Sequence, residues 1–196
     1  MMKVKSSTLQ VSALMATTAL AESKSLNAHV HGEGHLNIVL DGKNVGMEFH
    51  TPAWSLIGFE HKAETAKELE AVQAAIAVLS KPIDLFGIPE EAKCSISTVG
   101  AELEREAHEE EKHEKTAHDH DHDHGNEAAE AEHSEFHMNA SFLCEDPAGL
   151  STWATKLFDQ FPGLEEVDVQ VVTPSGQCGF ELTKDAPSLE LGEMMN

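Results

Sequence analysis

Apolar and polar residues alternate from Leu36 to Phe49, and the alternation is interrupted once. Leu36, Ile38 and Leu40 share one face of an extended segment, with Asn37, Val39 and Asp41 on the other. Asp41-Gly42-Lys43-Asn44 reads as a turn, after which Val45, Met47 and Phe49 resume the apolar face. A two-residue turn through Gly42-Lys43 sets Leu40 against Val45, Ile38 against Met47 and Leu36 against Phe49. A slip of one residue would turn that whole set to solvent, so pattern and turn specify one register. The same register places His35 opposite His50, and Asn37 opposite Glu48, on the outer face. Opposed Cβ atoms on neighbouring strands lie about 4.5–5.5 Å apart, close enough for two imidazoles to share a metal ion.

The rest of the chain reads in the same way. Thr51-Pro52 ends the hairpin, and Ala53 to Phe59 is an apolar, irregular lid over the core. Thr65-Ala66-Lys67-Glu68 has capping-box form. Leu69, Val72, Ile76 and Leu79 follow at helical spacing, and Pro82 stops that helix. Pro82 to Phe86 adds a single turn. Cys94 to Leu103 reads as a strand, with Gly100 as a bulge. Phe136, Met138, Ala140, Phe142 and Cys144 alternate as a half-buried strand. Asp146-Pro147 opens a second helix with Leu150, Trp153, Leu157, Phe158 and Phe161 as its apolar stripe. Pro162-Gly163 closes it. Val167, Val169 and Val171 alternate, Pro174-Ser175-Gly176 turns, Phe180 and Leu182 return, and a tail begins at Pro187. Trp54, Trp153 and the Phe residues sit at core spacing. The order predicts an α+β fold: a mostly antiparallel sheet of about six strands with two helices on one face.

Residues 104–134 break this pattern. Between 101 and 135 lie seven of the chain's 13 His, with 14 Asp and Glu against three Lys and Arg. Blocks of like charge repel and stay solvated, so the segment reads as a disordered loop inserted in the fold. At its centre His118, His120, His122 and His124 alternate with Asp119, Asp121 and Asp123, flanked by His108, His113 and His133. Imidazole is a common metal ligand, and a His-rich tract reads first as metal binding. Alternating His and Asp offers many interchangeable sets of four ligands. A flexible segment loses chain entropy on binding, so it is a multi-site binder of modest affinity. The bland alternative is a solvated charge run, but such runs rarely alternate with His.

Charge sharpens the picture. Thirty-five acidic residues against 13 Lys and Arg give a net charge of −22 with His neutral. Such a surface attracts cations and repels nucleic acid and anionic lipid. Lys3 and Lys5, the apolar stretch Val11–Leu20 and Ala19-Leu20-Ala21 have the order of a secretory signal cleaved after Ala21. That leaves residues 22–196 as one domain without membrane insertion. In a Gram-negative source it is periplasmic, where disulfides are permitted.

A second metal-ligand group lies outside the insert. His29, His31, His35 and His50 offer up to four imidazoles, with Glu33 or Glu48 as substitutes. His137, on the outer face of its own strand, joins if that strand neighbours the hairpin. Exposed His on a sheet face are otherwise ordinary polar positions, and His61 beside Glu60 reads as a solvated helix entry. Of the three Cys, Cys94 begins the strand before the insert and Cys144 ends the strand after it, positions that meet in an antiparallel pair. A Cys94–Cys144 disulfide is expected, closing the insert at its base. Cys178 shares parity with Phe180 and Leu182 and reads as a buried small hydrophobe. A thiolate zinc site lacks CxxC spacing. No GxSxG, HExxH or Gly-rich phosphate loop is present.

Several stretches together resemble the ZrgA-type periplasmic zinc-uptake proteins. They are His29-Val30-His31-Gly32 running into Leu36-Asn37-Ile38; Pro52-Ala53-Trp54-Ser55-Leu56-Ile57-Gly58-Phe59-Glu60-His61; Phe142-Leu143-Cys144; Leu157-Phe158-Asp159-Gln160-Phe161-Pro162-Gly163-Leu164; and Val167-Asp168-Val169-Gln170-Val171-Val172. The resemblance covers most of residues 28–192. It implies a secreted, zinc-repressed accessory protein for zinc acquisition, not an enzyme, and favours Zn²⁺ over Ni or Cu. It also gives Cys94 and Cys144 the positions of a Cys pair flanking the insert, with Cys178 a departure.

The expected function is therefore capture of Zn²⁺ in support of uptake, with a transporter or its binding protein as partner. The alternative is a periplasmic buffer of Zn, Ni or Cu for resistance or storage. Repression by zinc points to uptake and induction to resistance. A zinc hydrolase would need an open coordination position and Glu33 or Glu48 as base.

Overall fold

The computed structural model describes residues 30–105 and 133–192. The expected signal segment, His29, and the insert's His108, His113, His118, His120, His122 and His124 with Asp119, Asp121 and Asp123 lie outside the described residues.

The first hairpin forms in the expected register. Strands β1 (Glu33–Asp41) and β2 (Asn44–Pro52) pair Leu40 with Val45, Ile38 with Met47, Leu36 with Phe49 and His35 with His50. Gly42 takes φ 58° in the turn, a left-handed conformation that glycine adopts without penalty. All six apolar partners are buried, each contributing about 1.5–3 kcal/mol relative to exposure.

Helices α1 (Ala53–Ile57), α2 (Ala66–Leu79) and α3 (Pro82–Phe86) follow. Thr65 and Glu68 close the capping box: the Thr65 side chain accepts from the Glu68 N–H, and Glu68 accepts from the Thr65 N–H. Val72, Ala75 and Leu79 are buried, but Leu69 is 52% exposed. It stands one turn from the capped end, outside the stripe that meets the core.

Strands β3 (Cys94–Arg105) and β4 (Ser134–Cys144) flank the insert and pair antiparallel from Cys94↔Cys144 to Arg105↔Ser134. The sheet thus extends to Glu104, Arg105 and Ser134, which the sequence assigned to the loop. The register shifts between Ile96 and Thr98, not at Gly100. The Cys94–Cys144 disulfide is present. It lies at the end of this ladder remote from the insert, so it does not close the insert's base. Cross-strand pairing alone brings Arg105 and Ser134 together.

The second half departs most from expectation. The stripe Leu150, Trp153, Leu157, Phe158 and Phe161 is buried throughout, yet no single helix carries it. Pro147–Ser151 makes a 3-10 turn, β5 (Thr152–Ala154) follows, and α4 spans only Leu157–Gln160. Gly149 packs so tightly that a Cβ there would lie 2.5 Å from the Ala92 nitrogen. The expected tail supplies β8 (Ser188–Glu190), which pairs Leu189 with Trp153. Thr155 then accepts from the Leu157 N–H and donates to the Leu85 carbonyl, turning the chain into α4. Two helices were expected; among the described residues four α-helices form, of which only α2 is longer than five residues.

Strands β6 (Glu166–Thr173) and β7 (Gly176–Thr183) complete a six-stranded sheet of order β3-β4-β2-β1-β6-β7. Only the β1–β6 neighbours are parallel. The inner faces of the strands and the helices form one continuous apolar cluster, with Phe49 meeting Phe86 edge to face. Trp54 was expected in this core but is 40% exposed. Cys178 is half-buried and unpaired. Among the described residues no helix is long and apolar enough to cross a membrane.

Candidate metal centre

The outer face of the sheet carries the chemistry. Strand β4 lies beside β2, so His137 joins the hairpin pair: His137 is opposite His50, and His50 is opposite His35. Glu102 pairs with His137 on one side; on the other, Asp168 pairs with His35 and Glu181 with Asp168. One row therefore crosses all six strands: Glu102, His137, His50, His35, Asp168, Glu181. Three imidazoles occupy its centre and carboxylates its ends. The sequence pointed to the histidines; the acidic ends follow only from strand order.

The rings stack along this row. His35 and His50 are 4.9 Å apart between centroids, and His50 and His137 are 5.8 Å apart with planes within 10°. His137 Nε2 is 3.3 Å from Glu135 and 3.7 Å from Glu104, while His35 Nδ1 is 3.8 Å from Asp168. Ligands on one tetrahedral zinc lie about 3.3 Å apart, given bonds of about 2.0–2.1 Å. Stacked rings must rotate to meet that spacing. Among the described residues no group of three or more His, Cys, Asp and Glu is gathered as a metal ion requires.

Electrostatics favour a neutral, lone-pair-bearing imidazole at the centre. Burial lowers the His50 pKa below its ordinary 6.5, and the neighbouring His35 lowers it further. On the β6–β7 side, partial burial raises Glu166, and Glu181, Asp168 and Glu33 add to the rise. This concentration of carboxylates is a field that favours cations. An open depression of about 510 Å³ beside His35 is lined by Asp168, Gln170 and Glu181 among others.

His31 does not share the row. The turn before β1 carries it to Trp54, on which its ring stacks at 4.9 Å. Its Nε2 lies 3.1 Å from Glu60, and His133 Nδ1 lies 3.1 Å from the other oxygen of the same carboxylate. Glu60 was not singled out from sequence, because a lone acid in an irregular connection carries no spacing signal. His61 pairs with Glu68 at the exposed start of α2. Glu33 pairs in register with Glu166, and Glu48 is exposed beside His50.

No curated protein matches this chain. A family model described as ZrgA family zinc uptake protein matches residues 28–191. That span holds the hairpin, the insert, the second half of the sheet and every histidine of the row. The chain belongs to the ZrgA family of zinc uptake proteins.

Proposed function

We propose that this protein captures Zn²⁺ in the periplasm and passes it toward an uptake system, acting as a binding protein and not as an enzyme. The observation that carries the reading is the row of His35, His50 and His137, centred on the sheet and flanked by Glu102, Glu104, Glu135 and Asp168. Membership in a zinc uptake family supports zinc as the cargo. Imidazole and carboxylate together suit Zn²⁺, with a low His50 pKa keeping its lone pair available.

In this reading the His/Asp insert gathers ions at modest affinity, aided by the chain's negative field. The row receives them on a more rigid base. It lies on an open face, which suits release to a partner better than an enclosed site does. Arg105 ends β3 and Ser134 begins β4, close to the row members Glu102 and His137 on the same two strands, so the insert joins the fold at the end of the sheet nearest the row. Calorimetric titration with Zn²⁺ tests the row: the His35→Ala, His50→Ala, His137→Ala triple variant should lose at least one ion per chain. Unchanged stoichiometry and affinity would remove the row from the account.

A further inference from the structure

Glu60 holds a position that the row does not explain. Its side chain is only 13% exposed, yet His31 and His133 each set a ring nitrogen 3.1 Å from one of its oxygens. Oε1 is buried and has no well-directed hydrogen bond despite the nearby His31 Nε2. A buried carboxylate oxygen without a directed donor is costly. These contacts are near the spacing of two ligands on one zinc ion, about 3.3 Å at bond lengths of about 2.0–2.1 Å, although as they stand the three groups do not enclose an ion.

The three side chains come from separate elements, each pinned. Gly32 turns the chain at φ 89°, its N–H donates to the buried Ser55 hydroxyl, and its carbonyl accepts from the Glu165 N–H at 2.7 Å. That turn presents His31, whose ring stacks on Trp54 with the two planes 9° apart. The buried Ser134 hydroxyl donates to the Glu60 carbonyl at 2.8 Å, tying Glu60 to the start of β4, next to His133. Each imidazole now touches a different carboxylate oxygen. Rotation of the two surface rings exchanges these contacts for bonds to one ion.

We infer that His31, Glu60 and His133 form a second Zn²⁺ site, of three protein ligands with a fourth position open, where the insert re-enters the fold. It rests on the zinc reading above but uses none of the row's residues. Two imidazoles and one carboxylate are a donor set for zinc-type divalent cations. An open fourth position allows a further donor to attack the ion, so the site exchanges zinc instead of locking it.

Trp54 supplies the readout, because it stacks on His31, whereas the chain's other Trp, Trp153, is 3% exposed. Zn²⁺ is titrated into the full chain, with tryptophan emission and calorimetry followed together. Emission should change saturably in the parent and at the same midpoint in the His35, His50, His137 triple variant. Glu60→Gln, which keeps the shape, and His133→Ala should each raise the midpoint by about tenfold or more. Parent midpoints in both variants would overturn the site, as would a silent emission signal while calorimetry records bound zinc. A chain that takes up no zinc at all overturns the zinc reading and this site with it.

Discussion

His35 and His50 face each other across the β1–β2 ladder with their rings stacked at 4.9 Å and tilted by 30°. The pair exists because Leu36 and Phe49, next along each strand, are driven inward. Burying one face of a two-strand register necessarily presents the alternate residues together on the other. His137 extends the pair on β4, where Phe136 and Met138 are buried in the same way.

Acid should weaken the fold through His50. Burial, then His35, holds its pKa below 6.5 in the folded chain, so the unfolded chain binds that proton first. As pH falls through about 6.5, protonation favours the unfolded state, and stability rises again with pH. The melting temperature of the chain without zinc should fall between pH 7 and pH 5, and His50→Gln should make that fall shallower. Parallel curves for parent and variant would refute it.

The start of α2 makes a separate prediction. Thr65→Ala should lower stability by about 1 kcal/mol in urea unfolding at neutral pH, through loss of its cap. Backbone N–H groups of Thr65 and Glu64, with His61, hold the Glu68 pKa down at about 2. Its contribution is therefore full above the ordinary 4.5 and fades as pH falls toward about 2. Glu68→Gln should differ from the parent at pH 7 and converge with it in strong acid.

The disulfide should matter for stability and not for zinc. Cys94 and Cys144 are 50 residues apart in sequence, and releasing a loop of that length costs about 4 kcal/mol in the chain-entropy view. The bond is remote from His137, which lies toward the other end of the β3–β4 ladder. Reduction should lower the unfolding midpoint while protein that remains folded binds the same number of ions. Loss of zinc in step with reduction, before unfolding, would contradict that separation.

Ser55 positions His31 without touching metal. Its buried hydroxyl accepts from the Gly32 N–H at 3.0 Å, and Ser55→Ala leaves that donor without its partner, at a cost of about 1–3 kcal/mol. The variant should also weaken the zinc-dependent change in Trp54 emission, while heat from the His35–His50–His137 row persists. An unaltered Trp54 titration would separate the turn from the site.

The parts of the fold legible from sequence are those where local pattern and tertiary pairing agree. Alternation and a two-residue turn fixed the first hairpin residue by residue, and Cys94–Cys144 followed from antiparallel geometry. The stretch from Pro147 to Gln160 was illegible for the opposite reason. Its apolar spacing fits a helix, but Trp153 is claimed by Leu189 from a segment 36 residues on, and Gly149 by the backbone at Ala92. Periodicity tells which side chains are buried, not which backbone path buries them. Trp54 misled because a ring at core spacing can equally stack on a histidine at the surface. The histidine row needed only the neighbour relation of β2 and β4. Glu60, isolated in sequence, became visible only once His31 and His133 stood beside it.

The most direct test of zinc capture on the folded sheet is a calorimetric Zn²⁺ titration of the chain with and without residues 107–131. This deletion spares Arg105 and His133. The full chain should bind at least three ions, and the shortened chain should bind fewer but at least two. Its remaining uptake should vanish when His35, His50, His137 and Glu60 are replaced together. A shortened chain that folds and binds no zinc would contradict the account, placing all capture in the insert and none on the sheet.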